Sequence, residues 1–262
     1  MLYLYYENSF DGFLTAVFDA FCLRRTDIHL LSDNAEPPLL FECRNVPFDS
    51  EKSQRVQNGI SQKLGDGTLR LIWTAWLSHK SGIEDTLLKY LRLAFRLGTD
   101  ISKMPQNDTV LKTTAAAKRV TTEATRFKEI VRFKKYKGIY FADIYPDCEI
   151  LPLIAGHFAD RFSHQNFIIR DRRYGKALIY YNGQTAITDM TEFDDPDDMM
   201  EDDFEDMWKK YYHAMCIESR KSRRRLLSVM PLKYHRYMTE MQQPVIKSRE
   251  AEKTNSTDVH LR

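Results

Sequence analysis

The apolar positions near the start of the chain predict a strand, a helix and two further short strands. The first strand is a short aromatic and apolar run, and the helix repeats large apolar side chains every three or four residues after a cap at Asn8 or Ser9. The last strand follows the turn that Pro37 and Pro38 mark. These four elements fall at residues 2–6, 10–24, 28–31 and 39–43. The chain therefore opens with a β-α-β pattern.

A block of helices is predicted from residue 50 to about residue 135. Three apolar stripes with helical spacing follow one another, broken at Gly65 and ended at Gly98. The fourth helix, about residues 108–135, is long, weakly apolar and rich in Lys and Arg. This middle region indicates an all-helical block with short connections.

After Gly138 the pattern changes to strands around one helix. An apolar run and an amphipathic segment are followed by two runs joined across Tyr174 and Gly175, a connection short enough for an antiparallel hairpin. These elements fall at residues 139–145, 150–162, 167–171 and 177–181. Beyond them come an acidic run, a helical segment, a basic cluster and a second short segment, at residues 192–206, 208–215, 220–225 and 230–241.

These elements predict an α+β fold. It consists of an N-terminal β-α-β element, a central helical block, a β-α-β-β segment and C-terminal helices. We expect residues 1–241 to form one domain, with a subdivision into a mainly helical part (1–137) and an α+β part (138–241). Residues 242–262 are polar and charged, which is typical of a disordered tail.

The composition excludes several classes of protein but does not indicate a binding partner. The chain has 262 residues and a net charge of only +2, so charge must be judged locally. Its four cysteines are widely spaced, which argues against a zinc ribbon, an iron–sulfur loop or a disulfide framework. There is no phosphate-binding or dinucleotide-binding glycine loop and no long apolar segment. We expect a cytoplasmic protein without metal, cofactor or membrane contact.

The basic helix is the first candidate for a DNA-binding surface. Lys112, Arg119 and Arg126 are seven residues apart and share one helix face. Further basic residues that widen this face are Lys118, Arg132 and Lys135. Cations presented along one line suit the phosphates of DNA. An ordinary solvated helix face explains the same pattern, and this alternative stays open.

A second basic segment lies near the C-terminus beside aromatic residues. Such a combination can bind phosphates and stack on bases. The candidate cations are Arg220, Arg223, Arg224 and Arg225, and the candidate stacking or partner-binding aromatics are Trp208, Tyr212 and Tyr234. Two alternatives remain: an exposed helix end, and docking of this cluster onto the acidic run at 192–206.

One histidine offers acid–base chemistry. His157 and Arg161 are one helical turn apart, and Asp171 lies on the following strand. A histidine paired with a carboxylate can transfer protons if the pair faces a cleft. His157 also lies on the apolar stripe of its helix, so a hydrogen-bonded core histidine is the competing interpretation. Whether the protein is an enzyme stays undecided from sequence.

Several motifs together resemble a bacterial family of DNA-metabolism and DNA-repair proteins, a domain of unknown function without an established activity. The resemblance covers about residues 1–241. The matching stretches are Tyr6–Phe18, Glu123 with Arg126–Lys128 and Arg132-Phe133, Pro146, Leu151–Leu153, His157–Phe162, Trp208, Ile217, Arg220 and Met230–Tyr234. The chain departs from the family at Asn8, Thr125 and Ser222, where the family tends to have Gly, His and Asn. Thr125 in place of His weakens any scheme that pairs two histidines.

The resemblance implies partners and a role. Family members are encoded near a radical-SAM protein, and related domains are fused to uracil-DNA-glycosylase-like modules. This chain lacks the CxxxCxxC cluster of a radical-SAM enzyme, so iron–sulfur chemistry would belong to the partner. We expect a DNA-binding accessory of that protein. The alternatives are a DNA-acting enzyme in its own right and an interaction scaffold without direct DNA contact.

Overall fold

The computed structural model describes residues 1–35, 40–136, 138–190, 231–235 and 238. The chain divides into two units, Met1–Asp195 and Pro196–Arg262. The strands are β1 (Leu2–Tyr6), β2 (Ile28–Ser32), β3 (Glu42–Val46), β4 (Lys134–Tyr136), β5 (Ile139–Ile144), β6 (Phe167–Asp171), β7 (Lys176–Tyr181) and β8 (Gln184–Asp189). The helices are α1 (Phe10–Cys22), α2 (Ser50–Leu64), α3 (Asp66–Trp76), α4 (Ile83–Leu97), α5 (Asp108–Ile130), α6 (Leu151–Arg161) and, in the second unit, α7 (Leu232–His235). The predicted α+β class is confirmed.

The first sheet contains three parallel strands in the order β2-β1-β3. Alternate residues of the central strand β1 are buried against α1, whose N-terminus is capped by the Ser9 hydroxyl accepting from the Gly12 N–H. The predicted strand over residues 39–43 is placed too early. β3 begins at Glu42, because that residue pairs with Leu2 at the start of β1. Leu40, which belonged to the predicted strand, is 91% exposed.

The helical block contains α2 to α5. The predicted break at Gly65 and the predicted end at Gly98 are confirmed, and both glycines adopt positive φ angles, which a glycine tolerates without strain. Helix α5 begins where it was predicted but ends at Ile130 rather than near residue 135. The chain turns to extended backbone at Val131 and enters β4, so Arg132 and Lys135 do not extend the basic face of α5.

The second sheet has the order β4-β5-β6-β7-β8. Strands β5 and β6 are parallel and are joined through α6, whereas the other neighbours are antiparallel. The predicted hairpin between β6 and β7 is confirmed. Strand β8 was not predicted, because all six of its residues are exposed and it has no buried face to produce an apolar alternation.

Candidate functional site

The candidate site lies at the edge of the second sheet where the parallel strands β5 and β6 end. Their register pairs Ile144 with Asp171, so the loops over residues 145–150 and 172–175 leave the sheet side by side. Ligand sites in sheets with parallel strands tend to form outside the carboxyl ends of those strands. Functional side chains are therefore expected at this edge of the sheet.

The loop after β5 is held from two directions. The buried carboxylate of Glu123 on α5 accepts hydrogen bonds from the backbone N–H groups of Asp147 (2.9 Å) and Cys148 (2.8 Å). The N–H of Glu149 donates to the carbonyl of Leu77 at the end of α3, at 3.0 Å. These bonds fix the side chains of the loop against the helical block.

Two arginines from different elements meet at one carboxylate in this loop. Arg119 of α5 places Nη2 3.5 Å from Oδ2 of Asp147, and Arg173 donates from Nη1 to Oδ1 of Asp147 at 3.0 Å. The side chains of both arginines are nearly half exposed, at 49% and 41%. One carboxylate thus holds two guanidinium groups close together at the protein surface, and this group of three side chains, the Arg119–Asp147–Arg173 cluster, carries a net charge of +1.

A second carboxylate repeats this arrangement on the strands themselves. Arg170 donates from Nε and Nη2 to the two oxygens of Asp143, at 2.6 and 2.9 Å. Arg172 lies 3.2 Å from the same carboxylate and is 46% exposed. Bidentate pairs of this kind are well ordered. Asp143 and Asp147 thus each contact two guanidinium groups near this edge of the sheet.

A partly buried ion network lies beside the arginines, with the buried carboxylate of Glu149 at its centre. His79, just after α3, donates from Nε2 to Oε2 of Glu149 at 2.9 Å, and Lys176 donates to Oε1 at 2.6 Å. Burial alone raises the pKa of the Glu149 carboxyl, but the bonds from His79 and Lys176 outweigh burial and lower it. The His79 ring also lies against Tyr174, with 4.9 Å between ring centroids. Glu149 therefore stays ionised and orients the imidazole.

The pKa of Asp171, at the end of β6, is shifted in the opposite direction from that of Glu149. It is fully buried, its Oδ1 accepts from the N–H groups of Arg173 and Tyr174, and its Oδ2 has no hydrogen-bond partner among the described residues. Burial, which disfavours the charged form, raises its pKa to about 7, and the nearby Glu149 charge adds to the effect. Asp171 therefore exchanges its proton near neutral pH.

Four of the predicted DNA-binding residues lie on α5. Lys112, Arg119 and Arg126 follow one line, because residues seven apart differ by only about 20° around a helix. Lys118 is exposed but projects away from that line. Lys112 is neutralised by Asp108 one turn earlier, whereas no ion pair to Arg126 is found within the described ranges. The three cations thus lie along one line, as predicted, and acidic residues of the same chain form ion pairs with two of them: Asp108 with Lys112, and Asp147 with Arg119.

Two other predicted DNA-binding residues lie after the helix. Arg132 donates to the carbonyl of Glu129 at 2.8 Å, so its guanidinium is turned back onto the end of α5. Lys135 on β4 places Nζ 5.9 Å from the ring centroid of Tyr140. Arg132 lies in the link before β4 and Lys135 lies on β4, so neither continues the line on α5, which ends at Ile130.

The three predicted catalytic residues are not brought together. The last turn of α6 packs beside the beginning of β6, where Phe162 and Phe167 have ring centroids 5.9 Å apart. Arg161 is therefore near the first residue of β6, and Asp171 is its last residue, about 13 Å further along the strand. No hydrogen bond of the described residues joins His157 to Asp171; Nε2 of His157 is buried without a partner among them.

Most of the predicted C-terminal residues lie outside the described residues. These are Arg220, Arg223, Arg224, Arg225, Trp208 and Tyr212, together with the acidic run at 192–206 and the tail at 242–262. Tyr234 is described and lies in α7, where its side chain is only 2% exposed. Lys233 places Nζ 4.7 Å from its ring centroid. A ring this buried is not available to stack on a base.

Sequence reasoning missed most of the residues at this edge. His79, Glu149 and Lys176 come from three separate elements, and His79 is 70 positions away from the carboxylate that it contacts. Asp147 and Arg173 carried one usable signal, since each lies in the polar stretch directly after a buried strand. That signal, applied to β5 and β6 together, would have pointed to this edge.

The described part of the chain shows neither a metal-binding cluster nor a membrane-spanning helix. It contains no group of three or more His, Cys, Asp and Glu residues arranged to hold a metal ion. Among the helices of the described ranges, none has both the length and the hydropathy needed to cross a membrane.

Comparison with known proteins gives one family match. The family model DUF4130, described as a domain of unknown function, matches residues 81–240. That range begins just before α4 and includes both loops of the candidate site. No curated protein matches the chain.

Proposed function

The chain belongs to the DUF4130 family, a domain of unknown function, and we propose that it is a cytoplasmic DNA-binding protein of DNA repair or DNA metabolism. In this role it holds the DNA backbone as an accessory, and a radical-SAM partner encoded nearby carries out the chemistry. The choice of DNA as target and of that partner rests on the sequence resemblance described above. The structure supplies a surface suited to phosphate.

One observation carries the proposal: the Arg119–Asp147–Arg173 cluster. Two half-exposed guanidinium groups meet at a single carboxylate, so these three side chains together carry one net positive charge at a position set by the Asp147 contacts. A guanidinium offers a planar fork of donors that matches the oxygens of a phosphate. Because Asp147 already orders both side chains, a phosphate that approaches them does not have to order them again.

The line on α5 extends this surface. Lys112 and Arg126 lie one heptad before and after Arg119, at steps of about 10 Å along the helix axis. Such a row can contact several phosphates of one DNA strand, and each phosphate that is neutralised releases counterions. The expected result is sequence-independent affinity that falls steeply with salt.

A salt titration of binding to a labelled DNA duplex tests the proposal. The plot of log affinity against log salt should be linear, and the double variant Arg119→Ala/Arg126→Ala should reduce its slope by about 2. The matched control is Arg70→Ala/Arg96→Ala, which removes two exposed arginines from α3 and α4. Absence of binding at low salt would refute DNA binding. An equal loss of affinity in both double variants would refute the placement of the DNA-binding surface on α5.

A second candidate function is catalysis on DNA, favoured by the His79–Glu149 pair. An imidazole oriented by a buried carboxylate is a typical general base, and the His79 side chain is still 23% exposed at the arginine-rich edge. Incubation with DNA that carries modified bases tests this idea. His79→Gln should abolish any activity, while His157→Gln on α6 should retain it. The opposite result would return the chemistry to His157 and Arg161.

A further inference from the structure

A groove between α1, α2 and α4 is separate from the site described above. It encloses about 890 Å³, at the upper end of the usual size of ligand pockets, about 300–1,000 Å³. Three phenylalanine rings form its apolar wall: Phe18 and Phe21 from α1, and Phe95 from α4. Phe21 is 36% exposed and meets the Phe95 ring edge to face, with centroids 5.6 Å apart. The groove thus offers a ligand one exposed ring, Phe21, beside the partly exposed rings of Phe18 and Phe95.

The opposite wall is polar and comes from α2. Gln54, Asn58 and Gln62 are four residues apart, so their amides form one row along the helix. All three are exposed. Each amide offers both donors and an acceptor, which is the combination that reads the edges of nucleobases. Rings facing a row of amides thus present stacking surfaces opposite hydrogen-bonding groups.

The charge of the groove favours an anion. Arg55 and Lys63 line it together with one acidic residue, Glu51. The Arg55 guanidinium lies 5.5 Å from the centroid of the Phe18 ring, and no ion pair joins it to Glu51 among the described residues. A cation held over an aromatic ring is a common feature of surfaces that bind nucleic acid strands.

From these three properties we infer that the groove binds a segment of single-stranded DNA, with bases against the phenylalanines and phosphates at Arg55 and Lys63. Duplex DNA cannot bind in the groove in this way, because its bases are paired and stacked and cannot reach the rings. The inference rests on the proposed function for the identity of the nucleic acid. It adds a second surface that recognises exposed bases, whereas the surface around α5 recognises backbone.

Binding of two labelled oligonucleotides tests the inference: a short oligothymidylate, and an abasic strand of equal length with the same phosphates and no bases. The protein should prefer the strand with bases. Phe21→Ala should weaken binding of oligothymidylate by about 5- to 150-fold, the equivalent of one lost stacking contact, and should leave the abasic strand unaffected. Phe21 lies at the surface, so its loss should not unfold the protein.

Gly59 provides a second test with a matched control. It lies on α2 inside the groove, and a Cβ at this position would be 3.9 Å from Phe95, an ordinary contact. Gly59→Leu should fill the groove and weaken binding of oligothymidylate, while Gly59→Ala should retain binding. Both changes favour the helix.

The outcomes separate the two proposals. Equal affinity for both strands, or an unchanged Phe21→Ala variant, would overturn the inference and leave the groove to a peptide or another apolar partner. If duplex binding nevertheless keeps its salt dependence, the proposed function stands. Absence of binding to every nucleic acid probe would overturn both.

Discussion

Replacement of Asp171 by asparagine is expected to stabilise the protein above neutral pH and to change little near pH 4. The side chain is fully buried, and its Oδ1 accepts two backbone N–H groups, a role that the amide oxygen of asparagine can take over. The amide nitrogen would replace Oδ2, which lacks a partner among the described residues in any case. The substitution therefore removes the charge and keeps the shape.

The magnitude follows from the pKa of Asp171. Burial raises this pKa from 3.8 to about 7, so the folded protein holds the proton more tightly than the unfolded chain does. The stabilising contribution of the protonated form is complete below pH 4, declines as the pH rises, and is lost above pH 7. The difference between the two pKa values corresponds to about 4 kcal/mol in the free energy of unfolding. Asparagine does not titrate and avoids this loss.

Urea unfolding followed by circular dichroism, at several pH values from 4 to 8, measures the effect. The free energy of unfolding of Asp171→Asn minus that of the parent protein should rise from near zero at pH 4 to a few kcal/mol at pH 8. Glu149, whose lowered pKa makes stability fall at acidic pH, is present in both proteins, so its effect largely cancels. Two parallel pH profiles would show that Asp171 is ionised in the folded protein across this range and would refute the reasoning.

Three further predictions concern stability and reactivity. Glu123→Gln should lower the free energy of unfolding by about 1–3 kcal/mol in a urea titration, because its amide nitrogen would face a backbone N–H. Gly12→Ala should lower the melting temperature sharply, since the new Cβ would lie 2.3 Å from the backbone carbonyl oxygen of Glu7. The control Gly67→Ala, on α3, should raise the melting temperature slightly, because its Cβ would have no atom within 4 Å. Cys148, which is buried with its pKa raised to about 12, should resist iodoacetamide in native protein while exposed Cys22 reacts, as peptide mass mapping can show.

The sequence predicted elements well wherever one face of the element is buried. Helix α4 shows this, because its apolar stripe and its terminal glycine are both local signals. The end of α5 was misplaced, because basic residues continue past Ile130 and hide the change to extended backbone. Strand β8 was missed, since an edge strand without a buried face leaves no periodic signal. Errors thus fall where burial does not determine the pattern.

The candidate site was predictable only in part. Arg119 was identified because the basic spacing of a helix can be read locally. Its neighbours Asp147 and Arg173 were not, since their meeting depends on the parallel pairing of β5 with β6. The predicted set of His157, Arg161 and Asp171 was chosen from closeness in sequence, and the direction of α6 separates its members in space. Side-chain convergence between distant segments is decided by topology, which periodicity does not encode.

The hydrogen bond from the Glu149 N–H to the Leu77 carbonyl has a consequence for the way in which the molecule opens. It connects the end of α3 to the loop after β5, and the His79 side chain adds a second connection at the same place. Neither connection can break while both segments keep their native positions. In hydrogen–deuterium exchange, the amide of Glu149 should therefore be among the slowest, and its exchange should follow the cooperative opening of the helices and the sheet together.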